Sequence, residues 1–119
     1  MSIFKDKFEF SKRKSESSRI LEKYSDRIPV IAEKMKRSSL QNLDKSKYLI
    51  PKDMTVGQFQ YVIRKRLKIK SEDSIYLFFG ANATLVCGDE LMSKIYAENK
   101  DLDGFLYIFY DSERTFGQL

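Results

Sequence analysis

The sequence predicts an α+β fold in which a mixed sheet packs against one main helix to form two layers. Two runs, 75–79 and 105–110, are almost wholly apolar, which is typical of strands buried on both faces. Residues 56–67 repeat apolar side chains at spacings of three and four, as an amphipathic helix does. Two shorter strand-like segments, 26–34 and 47–51, precede that helix, so the sheet is expected to have four strands.

Length and composition indicate one globular domain. The chain has 119 residues, of which 42% are hydrophobic and 33% are charged. No apolar run approaches the ~20 residues that a membrane span needs, and the N-terminus lacks a signal-peptide core. We therefore expect a cytosolic protein.

The scarcity of cysteine and histidine excludes several kinds of catalytic site. The chain has one cysteine and no histidine, so Cys/His zinc sites and Cys-His or Ser-His nucleophile pairs cannot form. The sequence also has no glycine-rich phosphate-binding loop. We expect no enzyme activity, no cofactor and no metal.

The charges are distributed unevenly along the chain. Residues 1–70 contain 19 Lys and Arg against 8 Asp and Glu, whereas residues 71–119 contain 3 against 9. Such asymmetry favours a basic face that meets a nucleic acid, an anionic membrane or an acidic peptide. The alternative is that these charges only keep the surface soluble.

Residues 1–24 form the least core-like region. Phe4 and Phe8 lie among charged residues, and a polar stretch follows. We expect one short helix and then one amphipathic helix with Ser11 as its N-cap, docked by a few aromatic side chains. A partly mobile arm explains this region equally.

The two short strands carry prolines that indicate a sheet edge. Pro29 lies early in 26–34, and Pro51 ends 47–51, where it has no N–H to donate. These strands are expected to pair antiparallel. Residues 47–51 would then offer an edge to which an extended peptide can add. The alternative, which the pattern alone favours, is an ordinary edge strand under a crossover helix.

The main helix has clear boundary signals. Thr55 is the predicted N-cap, Gln58 three residues later permits a capping box, and the end of the helix is basic. A stub of strand at 84–86 and a short helix opening at 88 or 89 precede the last strand. The order of elements is that of the ubiquitin β-grasp. We expect a helical extension at 1–24, the β-grasp domain at 25–110, and a flexible tail at 111–119.

Six segments resemble one known family. They are 23–31 (KYSDRIPVI), 43–51 (LDKSKYLIP), 54–59 (MTVGQF), 63–66 (IRKR), 105–108 (FLYI) and 116–117 (FG). Together they are similar to the autophagy ubiquitin-like modifiers, the family that includes the GABA-receptor-associated protein and microtubule-associated light chain three. The resemblance covers nearly the whole chain.

The resemblance implies a covalent tag. A cysteine protease would recognise Phe116, Gly117 and Gln118 and cut after Gly117. E1-like and E2-like enzymes would then join the glycine carboxylate to phosphatidylethanolamine. The protein would be cytoplasmic before conjugation and would lie on autophagosomal or related membranes afterwards, where it recruits receptors and cargo.

The resemblance also implies a groove for peptides that carry an aromatic residue, two spacers and an aliphatic residue. The aromatic pocket would comprise Glu16, Ile20, Pro29, Ile31, Lys47, Leu49 and Phe105. The aliphatic pocket would comprise Tyr48, Ile50, Pro51, Met54, Phe59 and Val62. Acidic residues beside the peptide motif would meet Arg27, Lys45, Lys47 and Arg66. Gly104 replaces a bulky residue of the family and is expected to loosen the rim of the aromatic pocket.

A second hypothesis treats the chain as a non-conjugated basic module that binds nucleic acid or tubulin. Residues 64–70 and 12–14 motivate it, and binding that falls steeply with salt would be its signature. No RNA-recognition signature is present, so no nucleic-acid partner is expected, and tubulin stays a candidate partner.

Overall fold

A computed structural model describes residues 2–70, 72–86 and 88–112. Its helices are α1 (Ile3–Lys7), α2 (Phe10–Lys23), α3 (Val56–Leu67) and α4 (Met92–Asn99). Its strands are β1 (Arg27–Lys34), β2 (Lys47–Pro51), β3 (Ile75–Phe79), β4 (Thr84–Leu85) and β5 (Leu106–Ser112).

The strands form one mixed sheet in the order β2-β1-β5-β3-β4. β1 pairs antiparallel with β2 and parallel with β5, while β3 pairs antiparallel with β5 and β4. The apolar strand β5 is therefore central, as its sequence predicts, and β2 lies at one edge.

The sheet is covered on both faces. Successive side chains along β1 and β5 point to opposite faces, and nearly all of them are buried. On one face the main core joins the sheet to α3 and α4, with Phe59, Ile63 and Tyr110 fully buried. On the other face a smaller cluster forms from Phe4, Ile31, Phe105 and Tyr107, beneath α1 and α2. The N-terminal helices thus belong to the packed body of the protein.

The α+β, ubiquitin-like prediction is confirmed, with differences in detail. The two-residue strand β4 adds a fifth strand beyond β3. Helix α2 begins one residue before Ser11, with Glu9 as its N-cap, so the predicted Ser11 cap is wrong. Strand β5 continues to Ser112, two residues past the boundary that we expected for the tail. The extension arises because β5 pairs with β3 along its whole length, with Tyr76 opposite Asp111 and Ile75 opposite Ser112.

Candidate peptide-binding groove

The free edge of β2 presents backbone groups that no neighbouring strand uses. Ala32 N donates to Ser46 O, so these two residues form a hydrogen-bonded pair. Every second pair along an antiparallel ladder is of this kind, so Tyr48 and Ile50 of β2 also form hydrogen-bonded pairs with β1. Because antiparallel pairs alternate, the N–H and C=O groups of Lys47 and Leu49 point away from β1. Arg27 Nη1 lies 3.4 Å from Leu49 O and donates to it, and Pro51 ends the row of donors.

The side chains of β2 alternate between the two faces of the sheet. Tyr48 and Ile50 are buried in the core beneath α3, at 5% and 4% exposure. Lys47 and Leu49 are half-buried on the face that carries α2. The edge strand β2 therefore has α2 beside one face and α3 beside the other.

The α2 side brings together the predicted aromatic-pocket residues. Glu16 and Ile20 lie four residues apart on α2, and the Glu16 carboxylate forms an ion pair with Lys47 Nζ. Ile31 and Phe105 are fully buried and form the floor of this side. Pro29 is buried next to them on β1.

Phe4 is a neighbour of this pocket that the sequence did not indicate. Its ring packs edge-on against Phe105 with centroids 5.3 Å apart, and Lys47 Nζ lies 5.8 Å from its centroid. Glu33 accepts the backbone N–H of Phe4 at 2.9 Å and so fixes the start of α1. The signal available in the sequence was the pair Phe4 and Phe8, four apart, whose rings indeed lie 5.1 Å apart.

The α3 side forms an open cleft of about 680 Å³. Pro51, Met54 and Val62 line it, together with Gln58 and the exposed ring of Tyr61. The other predicted aliphatic-pocket residues, Tyr48, Ile50 and Phe59, lie beneath in the core. Those three residues support the cleft, whereas Tyr61 on its rim was missed by sequence reasoning.

The predicted cations surround the groove but already have partners within the chain. Arg66 Nε lies 3.3 Å from Asp44 Oδ1, and its guanidinium lies 5.9 Å from the Tyr48 ring. Lys45 Nζ lies 5.1 Å from the same ring, and burial of that ring raises the pKa of the Tyr48 hydroxyl. Contacts within the chain therefore position these cations and partly neutralise them.

A buried polar network behind the aromatic pocket was also missed. Asp103 is fully buried, and its Oδ2 accepts from Arg13 Nε at 2.7 Å and from the Tyr107 hydroxyl at 2.6 Å. Asp103 Oδ1 accepts the N–H of Phe105 at 2.9 Å. Burial and the adjacent carboxylate raise the pKa of the Tyr107 hydroxyl. The network fixes α2 against the start of β5.

Three of the predicted site residues lie outside the described part of the chain. They are Phe116, Gly117 and Gln118. Within the described residues, no group of three or more acidic, cysteine or histidine side chains is placed to hold a metal. No helix among those residues is long and apolar enough to cross a membrane.

The sheet order and the packing of α3 across one face of the sheet define a ubiquitin-like protein. The helices α1 and α2 form an N-terminal extension of this fold. A model of the family described as "Autophagy protein Atg8 ubiquitin like" matches residues 12–117. This chain belongs to that family.

Relatives and solved structures agree with this assignment. The chain is 56% identical to Autophagy-related protein 8e of Arabidopsis thaliana over 98% of its own length and 93% of that protein. It is 55% identical to Autophagy-related protein 8 of Penicillium rubens over 99% and 98% of the two chains. The crystal structure of Trypanosoma brucei ATG8 superposes with a TM-score of 0.89 at 38% identity, covering 95% of this chain and 96% of that one.

A second solved structure contains a bound peptide. It is Plasmodium falciparum Atg8 in complex with a peptide of Plasmodium falciparum Atg3. Its TM-score is 0.83 at 34% identity, and the match covers 94% of this chain and 99% of that one.

Proposed function

We propose that this protein is an autophagy modifier that is cleaved after Gly117 and conjugated to phosphatidylethanolamine. The observation that carries the proposal is the family match, which runs through residue 117 and therefore includes the Phe116-Gly117 pair. A glycine suits this chemistry because it has no side chain to obstruct approach to several enzyme sites in turn.

The conjugation partners follow from the proposed chemistry. A cysteine protease removes Gln118 and Leu119, an E1-like enzyme activates the glycine carboxylate, and an E2-like enzyme transfers it to the lipid amine. The Plasmodium relative was solved with an Atg3 peptide, which supports an E2-like enzyme as one partner of this fold.

The groove at β2 supplies the receptor-binding activity of the proposed modifier. An added peptide strand would hydrogen-bond to the outward N–H and C=O groups of Lys47 and Leu49. Its aromatic side chain would enter the α2 side and its aliphatic side chain the cleft lined by Met54 and Val62. Acidic flanks would meet Arg27, Lys45, Lys47 and Arg66.

Conjugation also determines where the protein acts. The unconjugated protein would be cytoplasmic, and the lipid anchor would hold it on autophagosomal or related membranes. Cell fractionation tests this: the Gly117→Ala variant should stay in the cytosolic fraction, while part of the wild type moves to membranes.

Intact mass of the protein recovered from its own cells is the decisive experiment. The wild type should lose Gln118 and Leu119 and acquire a phosphatidylethanolamine adduct, and Gly117→Ala should lack the adduct. Leu119→Ala is the matched control, because it alters the tail beyond the cleavage point and should be processed as the wild type is. Full-length, lipid-free chains in all three proteins would refute conjugation and leave the groove as a separate activity.

A further inference from the structure

The loop after β1 is attached to the last residues of β5. Met35 N donates to Tyr110 O at 2.8 Å. Arg37 Nε lies 3.4 Å from the carboxylate of Asp111, which is fully buried. The loop therefore lies beside the point at which β5 ends, at Ser112.

The C-terminal end of α3 reaches the same place through Gln41. The side-chain amide of Gln41 donates to Leu67 O at 2.9 Å, and its backbone O accepts the Tyr110 hydroxyl at 2.8 Å. Ile75, which begins β3 after this helix, lies opposite Ser112 of β5. Four segments therefore converge at this end of the sheet, which we call the basic end: 35–45, 64–70, 72–75 and 110–112.

The basic end carries most of the net charge of the protein. Its segments contain eight Lys and Arg against four Asp and Glu, a net charge of +4, whereas the whole chain has +5. Lys36, Lys68 and Lys70 are exposed and take no part in the ion pairs of the described residues. Arg64 Nη2 donates to Lys70 O at 2.8 Å and so holds that residue at this end. These lysines are therefore available to an anionic partner.

The start of β5, at the opposite end of the strand, lies beside charges that are already paired. Arg13 lies 2.7 Å from Asp103, and Lys5 lies 2.6 Å from Asp101. Six residue steps along β5 separate the two ends, which corresponds to about 20 Å. That distance exceeds the Debye length of about 8–10 Å near physiological salt, so a charged surface at one end attracts cations at the other only weakly.

The proposed lipid attachment brings a membrane close to the basic end. Gly117 follows Ser112, the last described residue, by five residues, and five residues span at most about 18 Å. Anionic lipids of the cytoplasmic leaflet attract lysine and arginine side chains that come within a Debye length of the surface. The only aromatic residue of the four segments, Tyr110, is fully buried, so the basic end offers no platform on which nucleic-acid bases could stack.

We propose that the basic end is a docking surface for the anionic leaflet of a membrane and that it orients the conjugated protein with this end toward the lipid. Conjugation supplies the anchor, and Lys36, Lys68 and Lys70 supply the contact with anionic headgroups. Strand β2 runs along the side of the sheet, so the groove stays open to peptides. The orienting role rests on the proposed conjugation, whereas the docking surface itself can be tested on the unconjugated protein.

Flotation of the unconjugated full chain with lipid vesicles measures this docking as a partition coefficient. Vesicles with about 30% phosphatidylserine should bind the protein, vesicles of phosphatidylcholine alone should not, and binding should fall with added salt. Lys36→Gln combined with Lys70→Gln should lower the partition coefficient about 25-fold, since each lysine at an anionic surface contributes a factor of about five. Both side chains are exposed, so circular dichroism should show the wild-type fold.

Lys12→Gln combined with Lys14→Gln is the matched control. It removes the same two charges, but these exposed lysines flank Arg13 on α2, near the start of β5. The control should change the partition coefficient by less than about twofold, because its lysines lie beyond a Debye length from the docked surface. An equal loss in both double variants would show that net charge alone governs binding and would overturn the inference.

Two further results would also contradict a membrane-docking surface. One is equal binding to neutral and anionic vesicles. The other is binding to a single-stranded RNA that exceeds vesicle binding and is lost in Lys36→Gln with Lys70→Gln, which would assign the basic end to nucleic acid.

Intact mass separates this inference from the proposed conjugation. A lipid adduct on the cellular protein, together with no binding of the unconjugated chain to anionic vesicles, would refute the docking surface alone. A lipid-free cellular protein that still binds anionic vesicles through Lys36 and Lys70 would refute conjugation and its orienting role, and would support the docking surface.

Discussion

Replacing Arg13 by Ala should destabilise the protein strongly, although Arg13 lies on the peripheral helix α2. Its side chain is 10% exposed and its partner Asp103 is 0% exposed. Removing one member of a buried ion pair typically costs ~3–5 kcal/mol, because the remaining charge loses its partner. Asp103 keeps the Tyr107 hydroxyl and the Phe105 N–H as donors, so we expect the low end, about 3 kcal/mol.

Chemical denaturation monitored by circular dichroism measures this free energy of unfolding directly. For a chain of this length the loss corresponds to a melting temperature lower by roughly 12 °C. Lys94→Ala is the matched control: Lys94 pairs with Glu90 at 3.1 Å, but both side chains are exposed. That variant should have the same free energy of unfolding as the wild type, since exposed ion pairs contribute little to stability.

The double variant Arg13→Ala with Asp103→Asn tests the cause of the loss. Neutralising the buried carboxylate removes the unpaired charge, so the double variant should be more stable than Arg13→Ala by about 1 kcal/mol or more. Our account of the network would be wrong if Arg13→Ala had the same free energy of unfolding as the wild type. It would also be wrong if the double variant lost the sum of the free energies that the two single variants lose, because the ion pair would then not anchor α2.

Three other variants test the groove and the core. Leu49→Ala should weaken aromatic-x-x-aliphatic peptides in calorimetry and cost about 1–2 kcal/mol of stability, less than a fully buried leucine, because Leu49 is half-buried. Lys47→Glu should lower the affinity for acidic peptides about tenfold or more. Adding Glu16→Lys should restore the stability of the protein without restoring this affinity. Unchanged affinity in Lys47→Glu would remove the β2 edge from the proposal. Burial raises the pKa of Tyr110 from 10.0 to about 12, so the folded state holds this proton more tightly than the unfolded state. Stability should fall as the pH rises through about 10 to 12, and Tyr110→Phe should flatten that fall in alkaline denaturation curves.

The sequence was sufficient for the elements whose signals are local. The Thr55 and Gln58 capping box forms as its spacing predicts, with both bonds present. The family resemblance assigned Leu49 and Tyr48 to different pockets, and the alternation of side chains along β2 places them on opposite faces of the sheet. The apolar run in β5 predicted its central place in the sheet.

The features that escaped prediction depend on contacts between distant parts of the chain. Arg13 and Asp103 are 90 residues apart, and nothing in either local sequence marks them as partners. In sequence both look like members of solvated charge runs. Phe4 resembled a residue of a loosely held arm, yet Glu33, 29 positions away, fixes its backbone. Only the fold brings such pairs together, so periodicity cannot reveal them.

These contacts change how acidic residues beside the peptide motif would contribute to binding. Lys47 already pairs with Glu16, Arg66 lies 3.3 Å from Asp44, and Arg27 donates to Leu49 O. In the proposed groove, a peptide carboxylate that binds Lys47 or Arg66 would replace an acidic partner within the chain, so the net gain is the difference between two ion pairs. Removing the internal acid should expose that difference: Glu16→Gln is expected to strengthen binding of acidic peptides while leaving neutral peptides unchanged. Equal effects on both kinds of peptide would show that Glu16 contributes to the pocket wall and does not compete for Lys47.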